Sequence, residues 1–146
     1  MSIEDDVALL ERVPTLHLLG TTALRMLAIG SEQRDFARGD ILFNAGDDAD
    51  AGYVVQRGAF RVEDGGAEII AGPGALIGEL ALVVAMRRPS SAVAIENSSV
   101  IRVARSLFQR VLESDPAAAR RLRDELATRT SQLASDILMA GAKLSI

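Results

Sequence analysis

Between Gln33 and Ala104 the apolar residues come in short runs, most of them separated by turns with glycine or aspartate, and that spacing restricts the segment to many brief strands. The runs are Ile41-Leu42-Phe43, Tyr53-Val54-Val55, Phe60-Arg61-Val62, Glu68-Ile69-Ile70, Ala92-Val93-Ala94-Ile95 and Val100-Ile101-Arg102-Val103. Strands this short and this closely spaced make a roll, a barrel or a sandwich.

Helical spacing flanks the strand region on both sides. From Ile3 to about Ala28, Val7, Leu10, Leu16, Leu19, Leu24 and Leu27 recur at helical intervals, and Pro14 and Gly20 break the stretch into two or three short helices. After Arg105, the residues Leu107, Val111 and Leu112 predict a short helix that stops near Ser114 and Asp115. Pro116 opens another, with Ser114 or Asp115 as its cap and an apolar stripe of Leu122, Leu126, Leu133, Ile137 and Ala140 running to Gly141. About 24 residues of helix reach about 35 Å, longer than a small roll, so its far end is expected to pack on something else, such as a second copy of itself. The expected fold is α+β: an antiparallel, jelly-roll-like β-roll over 31–104, short N-terminal helices over 1–30 and C-terminal helices over 105–140, all in one folding unit across 1–146.

Composition removes most other readings. The 146 residues, 49% hydrophobic and 25% charged, suit a single globular unit. The absence of cysteine excludes disulfides, thiolate metal sites and a cysteine nucleophile, and agrees with a reducing, cytoplasmic setting. The acidic start MSIEDDVALLERV is no signal peptide, and no apolar run approaches the roughly 18 residues of a membrane span. A net charge of −4 argues against direct nucleic-acid binding, which needs accumulated Lys and Arg. A small anion remains open if a local basic group meets it, and Arg87-Arg88 is the densest candidate.

Other motifs fail on spacing. Gly72, Gly74 and Gly78 do not form a dinucleotide fingerprint. A calcium loop starting at Asp48 would need glutamate where Ala59 stands. His17 has no second histidine or cysteine to complete a metal site or triad. No nucleophile, base and metal constellation assembles, so an enzyme is not expected and no cofactor is implied.

The segment Gly72 to Leu82, followed by Arg87-Arg88-Pro89-Ser90-Ser91, carries the chemistry. It places one carboxylate, Glu79, nine residues before a guanidinium, with glycine ahead of the first and hydroxyls after the second. Ionised Glu79 accepts only and suits a ribose 2′-hydroxyl, while Arg88 offers a planar fork of donors that suits phosphate oxygens. Gly78 allows a ligand close to the backbone, and Glu79 to Val83 reads as a short helix whose first N–H groups face an anion. The alternative is an ion pair between Glu79 and Arg88 that merely braces a loop, and spacing does not decide between the two.

The run Gly78-Glu79-Leu80-Ala81-Leu82, with Arg88 and Ser91 at the expected interval, resembles the phosphate-binding cassette of the cyclic-nucleotide-binding domain family, found in catabolite activator proteins, kinase regulatory subunits and cyclic-nucleotide-gated channels. Phe36 to Phe43, Gly46-Asp47 and Tyr53 to Gly58 are similar to the glycine-punctuated turns of that family's β-roll, so the resemblance runs from about Val13 to Ala140. It implies that Glu79 binds the ribose 2′-hydroxyl, that Arg88 binds the cyclic phosphate, and that the backbone at Gly78 and Leu80 shapes the pocket while the last helix caps the base. Pro89 departs from the family pattern, because it has no N–H for the phosphate; Ser90 and Ser91 are the replacement donors. Pro89 also lacks the hydroxyl with which some cGMP-preferring relatives reach guanine, so cAMP is expected over cGMP. Arg129 is placed to meet the base or a partner helix, or else to snorkel from the helix edge; Thr130, Ser131 and Ser135 are further base-contact candidates.

The resemblance implies a sensor in which ligand draws the cassette inward and the C-terminal helix shifts over the base. The partners it implies are the cyclic mononucleotide and either a second copy, in a homodimer through the C-terminal helix, or an attached effector domain. With no helix-turn-helix, kinase or cyclase motif after that helix, the chain is expected to be a stand-alone sensor or a piece of a larger regulator, channel or transporter. The alternative, favoured by Pro89, is a degenerate domain of the same fold that binds no nucleotide and serves for association.

Overall fold

Tyr53, Val54 and Val55 are apolar in succession because the strand that holds them is covered on both faces: Tyr53 and Val55 point into one core and Val54 into another. The computed structural model describes residues 2–64, 66–125 and 127–128. Three helices come first: α1 (Ile3–Glu11), α2 (Pro14–His17) and α3 (Thr21–Gly30). The strands follow as β1 (Glu32–Phe36), β2 (Ile41–Phe43), β3 (Asp48–Ala49), β4 (Ala51–Arg57), β5 (Phe60–Asp64), β6 (Ala67–Ala71), β7 (Leu76–Ile77), β8 (Met86–Arg87), β9 (Ala92–Ala94) and β10 (Ser98–Ala104). A 3₁₀ turn, Glu79–Leu82, separates β7 from β8, and α4 (Arg105–Ser114) follows β10.

The pairings are antiparallel throughout. One sheet has the order β1-β10-β4-β7, the facing sheet β2-β9-β5-β6, and β3 pairs with β8 in a separate ribbon. Phe43, Tyr53, Val55, Phe60, Ile77 and Val100 fill the space between the sheets, with Phe36 and Phe60 edge-to-face at 5.6 Å. On the outer face of the first sheet, Val54, Ile101 and Val103 pack against Leu10, Leu16, Leu24 and Leu27 of the N-terminal helices and Phe108 and Val111 of α4. This is the expected antiparallel roll between helices.

Local signals set the element ends. Ser2 and Asp5 exchange side-chain and backbone bonds in a capping box, and Glu4, Asp5 and Asp6 favour the positive end of α1. Pro14 occupies the first turn of α2. The Asp115 carboxylate accepts from the Ala118 N–H at 3.1 Å, as expected for the cap of the helix opening at Pro116, and residues 116–125 are helical. The expected far part of that helix, with Leu126 and everything from Arg129 onward, lies outside the described residues.

Four strands escape the apolar-run reading. β1, with sequence EQRDF, is largely exposed and is an edge strand held through its register with β10 from Glu32↔Arg102 to Phe36↔Ser98. The two-residue strands β3, β7 and β8 are too short to carry a pattern; pairing with neighbours defines them.

Candidate functional site

The chain leaves β7, turns at Gly78 with φ at +78°, and runs through the 3₁₀ turn before β8 delivers Arg88. The left-handed backbone at Gly78 favours glycine, and the space does too: a Cβ there would lie 2.4 Å from Arg88 Nη1. Arg88 is itself fixed by its backbone, its N–H donating to the Asp47 carbonyl at 2.7 Å and its carbonyl accepting from Gly46 at 2.8 Å.

The Arg88 side chain is only 4% exposed. Its Nη2 donates to the Ala51 carbonyl at 2.8 Å, and its Cζ lies 4.3 Å from the centre of the Phe43 ring and 5.4 Å from that of Tyr53. Its Nε is buried without a hydrogen-bond partner. Arg88 joins none of the ion pairs among the described residues. Burial pulls its pKa down, and Tyr53 and Asp50 oppose that pull. A buried cation outside any ion pair is costly, and ring contacts worth about 0.5–2 kcal/mol offset part of the cost.

The bracing ion pair between Glu79 and Arg88 is not what forms. Arg88 is drawn onto Phe43 and the Ala51 carbonyl, whereas Glu79 Oε1 accepts a hydrogen bond from the hydroxyl of Thr15 on α2. The two side chains nevertheless share a cleft of about 210 Å³, with Phe43, Val62, Ile77, Gly78, Leu80, Pro89 and Ser90 in its walls. Glu79 and Leu80 also line a second, mostly apolar cavity of about 230 Å³ with Thr15, Leu82, Val83, Phe108 and Leu122. Of the residues singled out in the sequence, Gly78, Glu79, Leu80, Arg88 and Ser90 thus meet in one place. Ser91 is not in the cleft wall: its Oγ accepts from the Ala45 N–H at 2.8 Å and its carbonyl from Glu63 at 3.0 Å, so it braces the strand and the 44–47 turn. Arg129, Thr130, Ser131 and Ser135 lie outside the described residues.

Sequence reasoning missed four contributors. Phe43 and Tyr53 register only as strand residues, and their role as the floor under Arg88 depends on β2 and β4 facing each other across the roll. Thr15 sits 64 positions before its partner Glu79, and no local pattern announces it. Arg105 looks like an ordinary helix-start residue, yet its Nη1 donates to the carbonyls of Ala49 at 2.8 Å, Ala81 at 3.2 Å and Val84 at 3.0 Å, tying the 3₁₀ turn to β3 and α4.

The structure is thus a β-roll backed by helices, with a buried guanidinium and a carboxylate in the walls of one cleft. The profile of the cyclic nucleotide-binding domain matches residues 33–115, and the chain belongs to that family. Among solved structures it is similar to a cyclic nucleotide-binding-like protein of Brucella abortus, at 35% identity and a TM-score of 0.65 over 75% of this chain and 98% of that one. It is also similar to the N-terminal domain of a transcriptional regulator of Streptomyces coelicolor, at 28% identity and a TM-score of 0.77 over 86% of this chain and 94% of that one. The cyclic AMP receptor protein of Thermus thermophilus is 30% identical over 122 residues, 80% of this chain and 56% of that protein. The chain spans only 7–9% of the fungal lysophospholipases that it also matches. Among the described residues, no helix is long and apolar enough to cross a membrane.

Proposed function

We propose that the chain binds a cyclic mononucleotide, cAMP in preference to cGMP, and that its work is sensing rather than catalysis. The observation that carries the reading is Arg88: a guanidinium 4% exposed, in the wall of a cleft, with an unpartnered Nε and in no ion pair among the described residues. The cyclic phosphate is its ion-pair partner. Glu79 accepts from the ribose 2′-hydroxyl, Ser90 supplies a hydroxyl in place of the N–H that Pro89 lacks, and the base lies over exposed Leu80. The signal leaves through the C-terminal helix, to a second copy of the chain or an attached effector domain.

Calorimetric titration with cAMP and cGMP, on the wild type and on Arg88→Ala, tests this. A hydrogen bond to a charged group contributes about 1.5–3 kcal/mol, so Arg88→Ala weakens binding roughly 10- to 150-fold. A ligand that binds the folded state must also raise the melting temperature. A wild type whose melting temperature ignores millimolar cAMP and cGMP alike would falsify the reading. That result would favour the degenerate, association-only domain, for which Pro89 in the cleft wall is the supporting observation.

A further inference from the structure

Each of the two four-stranded sheets ends in two edge strands, and three of those four edges are blunted. β1 carries Glu32, Gln33, Arg34 and Asp35, β7 is two residues long, and β2 is three residues long with a bulge between Ile41 and Phe43. β6 has none of these features. It runs in unbroken register with β5 from Phe60↔Ala71 to Asp64↔Ala67, holds no proline or lysine, and leaves Ile69 52% and Ile70 57% exposed. Among the described residues it pairs with β5 alone, so its other side offers N–H and C=O groups to a further strand. We propose that β6 is an interaction edge, that its partner is the β6 of a second copy of the chain, and that the two pair antiparallel about a twofold axis at Ile69.

Charge complementarity selects a second copy. Phe60 and Ala71 face the core between the sheets, so Arg61, Glu63, Glu68 and Ile70 lie on the outer face. Glu63 stands directly opposite Glu68, a like-charge pair that weakens the edge, and Arg61 Nε reaches Glu68 only at 3.8 Å. At the other end of the same face Arg61 stands opposite Ile70. A twofold axis at Ile69 turns the one end onto the other. Glu68 then lies opposite the partner's Ile70, with the partner's Arg61 next in the row, and each acidic pair gains a second cation. On the inner face Ile69 meets the partner's Ile69, Ala67 meets the partner's Ala71, and all five residues of β6 are paired. Only shifts of two residues keep each face in place. One such shift sets Glu68 against the partner's Glu68, and the other carries Ala67 to the partner's Pro73, which has no N–H.

The chain has no cysteine, so a single introduced thiol reports where two copies meet. Under a mild oxidant Ile69→Cys forms a disulfide-linked dimer, because opposite residues of an antiparallel pair stand about 4.5–5.5 Å apart, within disulfide reach. Ala67→Cys, exposed on the same strand, does not, because the axis leaves it about 14 Å from its own copy. Sedimentation equilibrium on the full chain reads the same edge without a cross-link. Ile70→Lys weakens association through β6 roughly tenfold or more, since a twofold interface carries every substitution twice. Ile70 is exposed and outside the cleft wall, so the variant keeps its fold and its cleft, which circular dichroism and nucleotide titration check against wild type. Where the C-terminal helix also joins copies, Ile70→Lys removes one step of the assembly and leaves the other. No cross-link at Ile69→Cys, equal cross-linking at positions 67 and 69, an assembly that Ile70→Lys leaves unchanged, or a wild type that is monomeric throughout overturns the proposal, and none of these bears on the binding of nucleotide.

Discussion

Adding one carbon at Gly78 separates binding from folding more sharply than deleting any charged residue. In Gly78→Ala the new Cβ enters at 2.4 Å from Arg88 Nη1 and 3.5 Å from the Ala51 carbonyl, in a backbone held at φ +78°. The left-handed conformation costs about 1–2 kcal/mol for a residue with a Cβ. The clash is with the tip of a side chain rather than with backbone, so the guanidinium yields before the fold does. It then leaves the Ala51 carbonyl and the Phe43 ring, and the proposed phosphate contact loses its geometry. Gly39→Ala is the control. Its φ is +91° and a Cβ there meets nothing within 4 Å, so it carries positive-φ strain and no displacement of Arg88. Urea denaturation followed by circular dichroism should give Gly39→Ala a loss of about 1–2 kcal/mol and Gly78→Ala a somewhat larger one, because Arg88 also leaves its contacts. Calorimetric titration should show Gly39→Ala binding cyclic nucleotide like the wild type, and Gly78→Ala weakened roughly 10- to 150-fold, the equivalent of one lost charged hydrogen bond. Equal affinities for the two variants would refute the claim that Gly78 is glycine for the sake of Arg88.

Pro89→Thr restores an N–H and adds a hydroxyl at the cleft wall, and should raise affinity for both nucleotides with a larger gain for cGMP; competition titration that finds the cAMP to cGMP ratio unchanged would remove Pro89 as a determinant of base choice. Arg105→Ala leaves the Ala49, Ala81 and Val84 carbonyls without their shared donor, and should destabilise the ligand-free protein by about 1.5–3 kcal/mol in urea denaturation. Little change there would mean that the 3₁₀ turn holds its place without Arg105.

Much of the architecture is legible in one dimension. The six apolar runs fall on β2, β4, β5, β6, β9 and β10, and Pro14 and Gly20 fall where the N-terminal helices begin or break. β1 was not legible because an edge strand needs apolar residues only on the side it buries, and EQRDF buries little. The cassette was legible as chemistry: glycine, carboxylate, guanidinium and hydroxyls in one short stretch. Its wiring was not. Whether Glu79 would pair with Arg88 turned on where Thr15, Phe43 and the Ala51 carbonyl came to lie, and the chain supplies these from three other elements.

Sequence alone determined the order of helices and strands, the turn positions and the residue types at the cleft, because periodicity, proline and glycine act within a few residues of themselves. The tertiary structure decided which of those residues act together. Arg88 became an unpaired cation only when β4 carried Ala51 and Tyr53 beneath it, and Glu79 gained its direction only when α2 came to rest behind the 3₁₀ turn. Burial and hydrogen-bond partnership depend on what lies across space, and for these two groups every decisive neighbour is more than thirty residues away along the chain.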